Sequence, residues 1–321
     1  MPGVPRLSTA LAFGGLLGLI AQPCSGYGGV AVVAHYTTED GLSSNLVRDV
    51  LPVEESLWVA TDDAGLCLIG ERGRVTCYRQ EDTPLPSDRF SSLAHFRGKV
   101  YAGSADGLAV FDGESWSTID RVDRVRLQKV HLSVDADRDE LWAGAVNVAG
   151  GLVKFDGEEW TFLGGGGKGL VNYVISIAFA GGSVWLGTTG NGLFRITDGT
   201  WENYGREEGL AAETVSSLAA DGPALWVGTR AGLGRLLDGE WLWITDEEGL
   251  PSAAVRSLEA TEEGILVGTS RGLAIVDPDG GAVEVVELAD PPPVVTSIRR
   301  DRTRERVWAG TTGGVYQLAL D

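Results

Sequence analysis

The stretch LWVGTRAGL, residues 225–233, starts like a buried strand and then breaks. Leu225, Trp226 and Val227 are apolar, Gly228-Thr229 stops the run, and Gly232-Leu233 resumes it after a polar step. Its meaning lies in recurrence. The pattern returns as LWVAT (57–61), VYAGS (100–104), LWAGA (141–145), VWLGT (184–188), ILVGT (265–269) and VWAGT (307–311). Successive second positions are 43, 41, 43, 41, 40 and 42 residues apart, which is a repeat period and not a local turn.

Each unit reads as four strands. In the fifth, VSSLAA (215–220) precedes the motif, and GLGRLL (232–237) follows a bend at Arg230-Ala231. Asp238-Gly239 is a hairpin signal, and EWLWIT (240–245) is the fourth strand. EEGLPS (247–252) then leads to the next unit. Asp112-Gly113, Asp156-Gly157 and Asp198-Gly199 repeat the hairpin signal. Four strands in a period of about 40–45 residues is propeller-blade arithmetic. Helical repeats of that length would need amphipathic helices, which 46 glycines oppose. The sequence therefore predicts an all-β, seven-bladed β-propeller of four-stranded antiparallel blades over residues 27–321.

The chain ends predict how the ring closes. VYQLAL (315–320) can supply a third strand to the last unit, but no fourth follows. VAVVAHYTTEDGL (30–42) matches the fourth strand and exit loop of other units, such as WLWITDEEGL (241–250). The N-terminal strand is expected to complete the last blade, hiding sheet edges and tying the termini together.

Residues 1–26 read as a secretory signal peptide: Arg6 is followed by the apolar run LSTALAFGGLLGLIA (7–21) and by small residues at Ser25-Gly26. The run is short for a membrane span, and no later segment could cross a bilayer, so the mature chain is expected to carry no integral membrane segment. Cys24 raises lipidation, which Pro23 disfavours. The expected place is the periplasm or the exterior. The formal charge of −19 repels nucleic acid, whose binding rests on cations at phosphates. In GLCLIGERGRVTCY (65–78), a three-residue loop Glu71-Arg72-Gly73 sets Cys67 opposite Cys77. A cross-strand disulfide is expected, suited to an exported protein.

The pattern GL-x4-V-x-S-L…LWVGT-x-x-GL, clearest at 209–233 and repeated at 249–273, resembles the two-component regulator propeller repeat. The resemblance covers residues 30–321. It implies an extracytoplasmic sensor domain of the kind found in hybrid histidine kinases, some of which recognise glycan fragments. No kinase or receiver region accompanies the repeats in this sequence, so a stand-alone sensor or accessory propeller is expected.

Internal symmetry separates scaffold from candidate function. Ser92, Ser133, Ser176, Ser217 and Ser257 stand nine residues before the motif's second position, and Ser297 corresponds after a two-residue insertion. These serines read as scaffold. The first unit has Asp49 instead, a buried carboxylate that needs a partner, with neighbouring Arg48 or a water able to serve. The motif threonines are expected to bond back to the bend. The bends between second and third strands vary and should share a rim with the blade-to-blade loops, where binding usually sits. Candidate ligand-binding residues there are Arg48, Asp49, Asp62, Asp63, Asp106, Asn147, Asn191, Arg230, Arg256 and Arg271, with Asn45, Asp88, Asn172 and Glu213 on the same rim. Their mixture of carboxylates, amides and guanidinium groups suits a glycan or a small polar molecule. An envelope protein partner is one alternative, and a propeller lyase or hydrolase is another.

Enzyme signals are weak. His35, His95 and His131 fall in three units on different strand types, and His131 reads as a core imidazole. DADRDE (135–140) lacks the sixth-place glycine and twelfth-place glutamate of a calcium loop. The Gly164–Gly167 run lies in a blade connection and not between a strand and a helix, so it is no phosphate cradle. No cofactor is expected, and the sequence reads as a non-catalytic binding module.

Overall fold

The computed structural model describes residues 29–123, 125–145, 151–164, 173–301 and 303–320. The leader at 1–26, Cys24, Asn147, Asn172 and Gly165 to Gly167 lie outside the described residues.

Among the described residues, seven four-stranded antiparallel sheets form the blades of a ring. Their first strands are Val47–Val53, Phe90–Phe96, His131–Asp135, Val174–Ala180, Val215–Asp221, Val255–Ala260 and Val295–Asp301, for blades 1 to 7. Each first strand packs against those of the two flanking blades, and blade 7 packs against blade 1, so the ring is closed. In blade 5 the remaining strands are Ala224–Thr229, Gly232–Leu237 and Glu240–Ile244, as the repeat predicts. Blade 7 takes its fourth strand, Val30–Tyr36, from the other end of the chain, with Tyr36 opposite Val315 and Val30 opposite Leu320. A small hairpin of Arg121–Val122 and Val125–Arg126 between blades 2 and 3 has no counterpart in the repeat pattern.

The core is divided among the blade interfaces. The motif's second residue supplies one anchor to each apolar cluster: Trp58 between blades 1 and 2, Tyr101 between 2 and 3, and Trp142 between 3 and 4. Trp185, Trp226, Leu266 and Trp308 continue the series to the 7–1 interface. Trp226 is wholly buried. The motif glycine serves close approach of blades. A Cβ on Gly228 would stand 2.3 Å from Ser217 Oγ and 2.7 Å from Val255 Cγ1 of the next blade. Gly232 has φ +135°, a backbone state that suits glycine, where the bend enters the third strand.

Cys67 pairs directly with Cys77 across the outer two strands of blade 1, and the disulfide is formed. Both Arg72 and Gly73 take positive φ in the connecting loop. No helix among the described residues is long and apolar enough to cross a membrane.

Candidate functional site

The first strand of every blade starts at one face of the ring, and the bend between second and third strands returns there. Backbone hydrogen bonds tie the two: Asp62 N–H to Leu46 O at 2.9 Å, Ala105 N–H to Arg89 O at 2.9 Å, and Ser270 N–H to Ala254 O at 3.0 Å. The bends are held from within. Thr61, Thr188, Thr229, Thr269 and Thr311 donate their hydroxyls to a backbone carbonyl of the same bend at 2.8–3.0 Å. This is the role expected of the motif threonine.

The first strands carry a one-residue bulge just inside that face in blades 1, 2, 4, 5, 6 and 7. The bulge inserts Arg48, Ser91, Ile175, Ser216, Arg256 and Thr296 beside the central channel. Hydroxyls here clasp neighbouring blades. Ser92 donates to Val130 O at 2.7 Å, Ser216 to Val255 O at 2.7 Å, and Thr296 to Val47 O at 2.7 Å. Ser176 and Ser257 make the same reach at 3.3 Å.

Blade 3 corrects the serine alignment. Its first hairpin pairs Asp135 with Glu140 around a four-residue turn, two residues longer than the Ala180–Ser183 turn of blade 4. The extra residues shift the count. His131, not Ser133, faces the motif glycine Gly144, as Ser176 faces Gly187. Ser133 pairs instead with Trp142 and lines the channel. His131 therefore replaces a clasp serine and is not an apolar-core imidazole. Burial pushes its pKa from 6.5 down to about 4, with the Asp49 charge opposing and the Arg48 charge adding.

Asp49 is likewise not partnered by Arg48. Its carboxylate accepts from the Leu93 N–H of blade 2 at 2.8 Å and from the Val50 N–H at 3.0 Å. Arg299 of blade 7 pairs with it at 3.2 Å, and Asp49 in turn raises the Arg299 pKa. Arg48 pairs with Asp62 at 3.0 Å.

These groups surround a cavity of about 480 Å³ at the channel mouth. Of the candidates named from sequence, Arg48, Asp49, Asp62 and Arg256 line it together. Asp63, Asp106, Arg230 and Arg271 are exposed on bends of the same face but outside this cavity, and half-buried Asn191 also lies outside it. Asn45, Asp88 and Glu213 hold loops: Asn45 accepts from Thr38 N–H at 2.8 Å, Asp88 from Gln80 N–H at 2.7 Å, and Glu213 O from Gly192 N–H at 2.9 Å. Sequence reading missed Arg89, Lys129 and Arg299 as cavity residues. The internal symmetry carried a signal for Arg299. It pairs with Trp308 in the column that elsewhere holds Leu51, Ala94, Ser133, Ala178, Ala219 and Glu259. Among the described residues, no cluster of three or more His, Cys, Asp and Glu side chains is arranged to hold a metal ion.

No protein-family model matches the chain, and no curated protein matches it in sequence. Solved structures match its fold. One is the extracellular domain of a protein assigned as a hybrid two-component system of B. thetaiotaomicron, with TM-score 0.77 and 20% identity over 92% of this chain and 41% of that one. A second such extracellular domain from B. thetaiotaomicron gives TM-score 0.69 and 18% identity, covering 91% and 39%. Streptogramin B lyase gives TM-score 0.67 and 14% identity, covering 92% and 98%. The chain thus spans about two fifths of each two-component structure. Identities this low establish a shared fold. The first two neighbours come from the class of protein whose repeat this sequence resembles.

Proposed function

We propose that this chain is an exported, non-catalytic ligand-binding propeller of sensor type, taking a glycan or small molecule at its channel mouth. The observation that carries the reading is the cavity of about 480 Å³, lined by charged side chains on a closed, rigid ring. That volume falls in the range of small-molecule sites. The resemblance to two-component sensor propellers supports a link to signalling, and the Cys67–Cys77 disulfide supports an oxidising compartment.

A catalytic reading finds less support. With its pKa lowered to about 4, His131 stays neutral and is a weak base. The Asp49 carboxylate is occupied by Leu93 N–H, Val50 N–H and Arg299. His131 is not poised for proton transfer at neutral pH. The test is a thermal-shift screen of neutral and acidic oligosaccharides and small metabolites. It compares the native protein with Ile175→Trp, which fills the channel wall. Stabilisation of the native protein alone supports the reading. Stabilisation by no ligand, or equally in both proteins, contradicts it.

A further inference from the structure

The mouth of the channel opposes the charge of the rest of the molecule. The chain carries −19 overall, yet among the described residues five cations and two carboxylates line the cavity. Arg48 is matched by Asp62 and Arg299 by Asp49. That leaves Arg89, Lys129 and Arg256, all exposed, with no ion-pair partner among the described residues. Unpaired cations that gather at a concave surface of an acidic protein raise the local concentration of anions.

Their placement is defined by the fold. Arg89 and Lys129 stand on adjacent blades at either side of one bend: the Ala105 N–H donates to Arg89 O at 2.9 Å, and the Ala105 carbonyl accepts from Lys129 N–H at 3.3 Å. Arg256 stands on blade 6, three blades from each of them around the ring and so across the mouth. Its Nε donates to Ser270 Oγ at 3.1 Å, which orients the guanidinium and leaves its terminal nitrogens for a ligand. In the same lining the hydroxyls of Ser91, Ser92 and Ser216 are committed to backbone carbonyls, whereas Ser217 Oγ and Ser297 Oγ are buried without a partner.

We infer that the channel mouth takes a small ligand bearing two separated anionic groups, one held by Arg89 and Lys129 and the other by Arg256. This deepens the ligand-binding reading and rests on it. The opposed cations select against neutral sugars, because desolvating them without a counter-charge is unfavourable.

The test is titration calorimetry with digalacturonate, succinate and glutarate, and with neutral digalactose and monogalacturonate as controls. At least one dianion is expected to bind, with affinity falling as salt rises. Binding should weaken at least tenfold in both Lys129→Gln and Arg256→Gln, and stay unchanged in Arg230→Gln. Circular dichroism and melting temperature establish that each variant is folded. Failure of all three dianions, or binding that survives both cavity variants, overturns the inference. If digalactose binds as well as digalacturonate and Ile175→Trp abolishes both, the inference falls while the ligand-binding reading stands.

Discussion

The Asp49 carboxylate lies 3.2 Å from the Arg299 guanidinium, although 250 residues separate them in the chain. Asp49 also accepts from the Leu93 N–H, so one side chain joins blades 7, 1 and 2. It stands where blades 2, 4 and 6 have a serine that reaches a single neighbour. Asp49→Ala leaves Arg299 without its partner and Leu93 N–H without its acceptor. A loss of about 2–3 kcal/mol is expected in urea unfolding, below the full cost for a buried pair because Arg299 is partly exposed. A double-mutant cycle with Arg299→Ala should show coupling of about 1–2 kcal/mol, and additive losses would deny the pairing.

The motif residues should behave as interface residues between blades. Trp226 is fully buried among side chains of blades 5 and 6, and Trp226→Ala is expected to cost about 3–5 kcal/mol. Gly228→Ala sets a methyl against Ser217 Oγ and Val255 and is expected to cost about 1–3 kcal/mol. Chemical denaturation of both variants checks the packing. A neutral Gly228→Ala would contradict the close approach.

His131 makes stability depend on pH. Its folded pKa of about 4 lies below the ordinary 6.5, so the unfolded chain binds the proton more readily. Its contribution is complete above pH 6.5 and is lost as pH falls towards 4. Asp112 and Asp156, lowered by backbone N–H donors from Ser115 and Glu159, lose their contributions only below their ordinary value of 3.8. Melting temperature against pH should therefore fall between 6.5 and 4 in the native protein and less steeply in His131→Ser, which restores the repeat's residue. Identical profiles would remove His131 from this role.

The disulfide staples the outer hairpin of blade 1, where Cys67 is buried and also meets Ser43 Oγ at 3.1 Å. Peptide mapping without reduction should recover residues 67 and 77 in one cross-linked fragment. Reduction is expected to cost about 2–3 kcal/mol through the denatured chain. Free thiols at both positions in protein purified without reductant would contradict the bond.

The scaffold was legible because a blade must repeat its anchors. Trp226, Gly228 and Gly232 recur with counterparts at a fixed period, and the missing fourth strand of blade 7 pointed to Val30–Tyr36. The site was less legible because small shifts in count move side chains between faces. Two extra turn residues in blade 3 placed His131 where Ser133 was expected. Arg299 was marked by its repeat column, but the column shows only that the residue is unusual, because its Asp49 partner lies across the ring closure. Arg230 broke the pattern of the motif yet stands outside the cavity, whereas Arg89 and Lys129 just precede the first strands and line it.

The central claim is that ligand is held inside the channel mouth and not on the outer bends. Arginine-selective labelling with phenylglyoxal, read by peptide mass spectrometry with and without saturating digalacturonate, tests this most directly. The account predicts that ligand protects Arg89 and Arg256 while Arg230 and Arg271 label as before. Protection of Arg230 or Arg271 with Arg89 and Arg256 unchanged would contradict it.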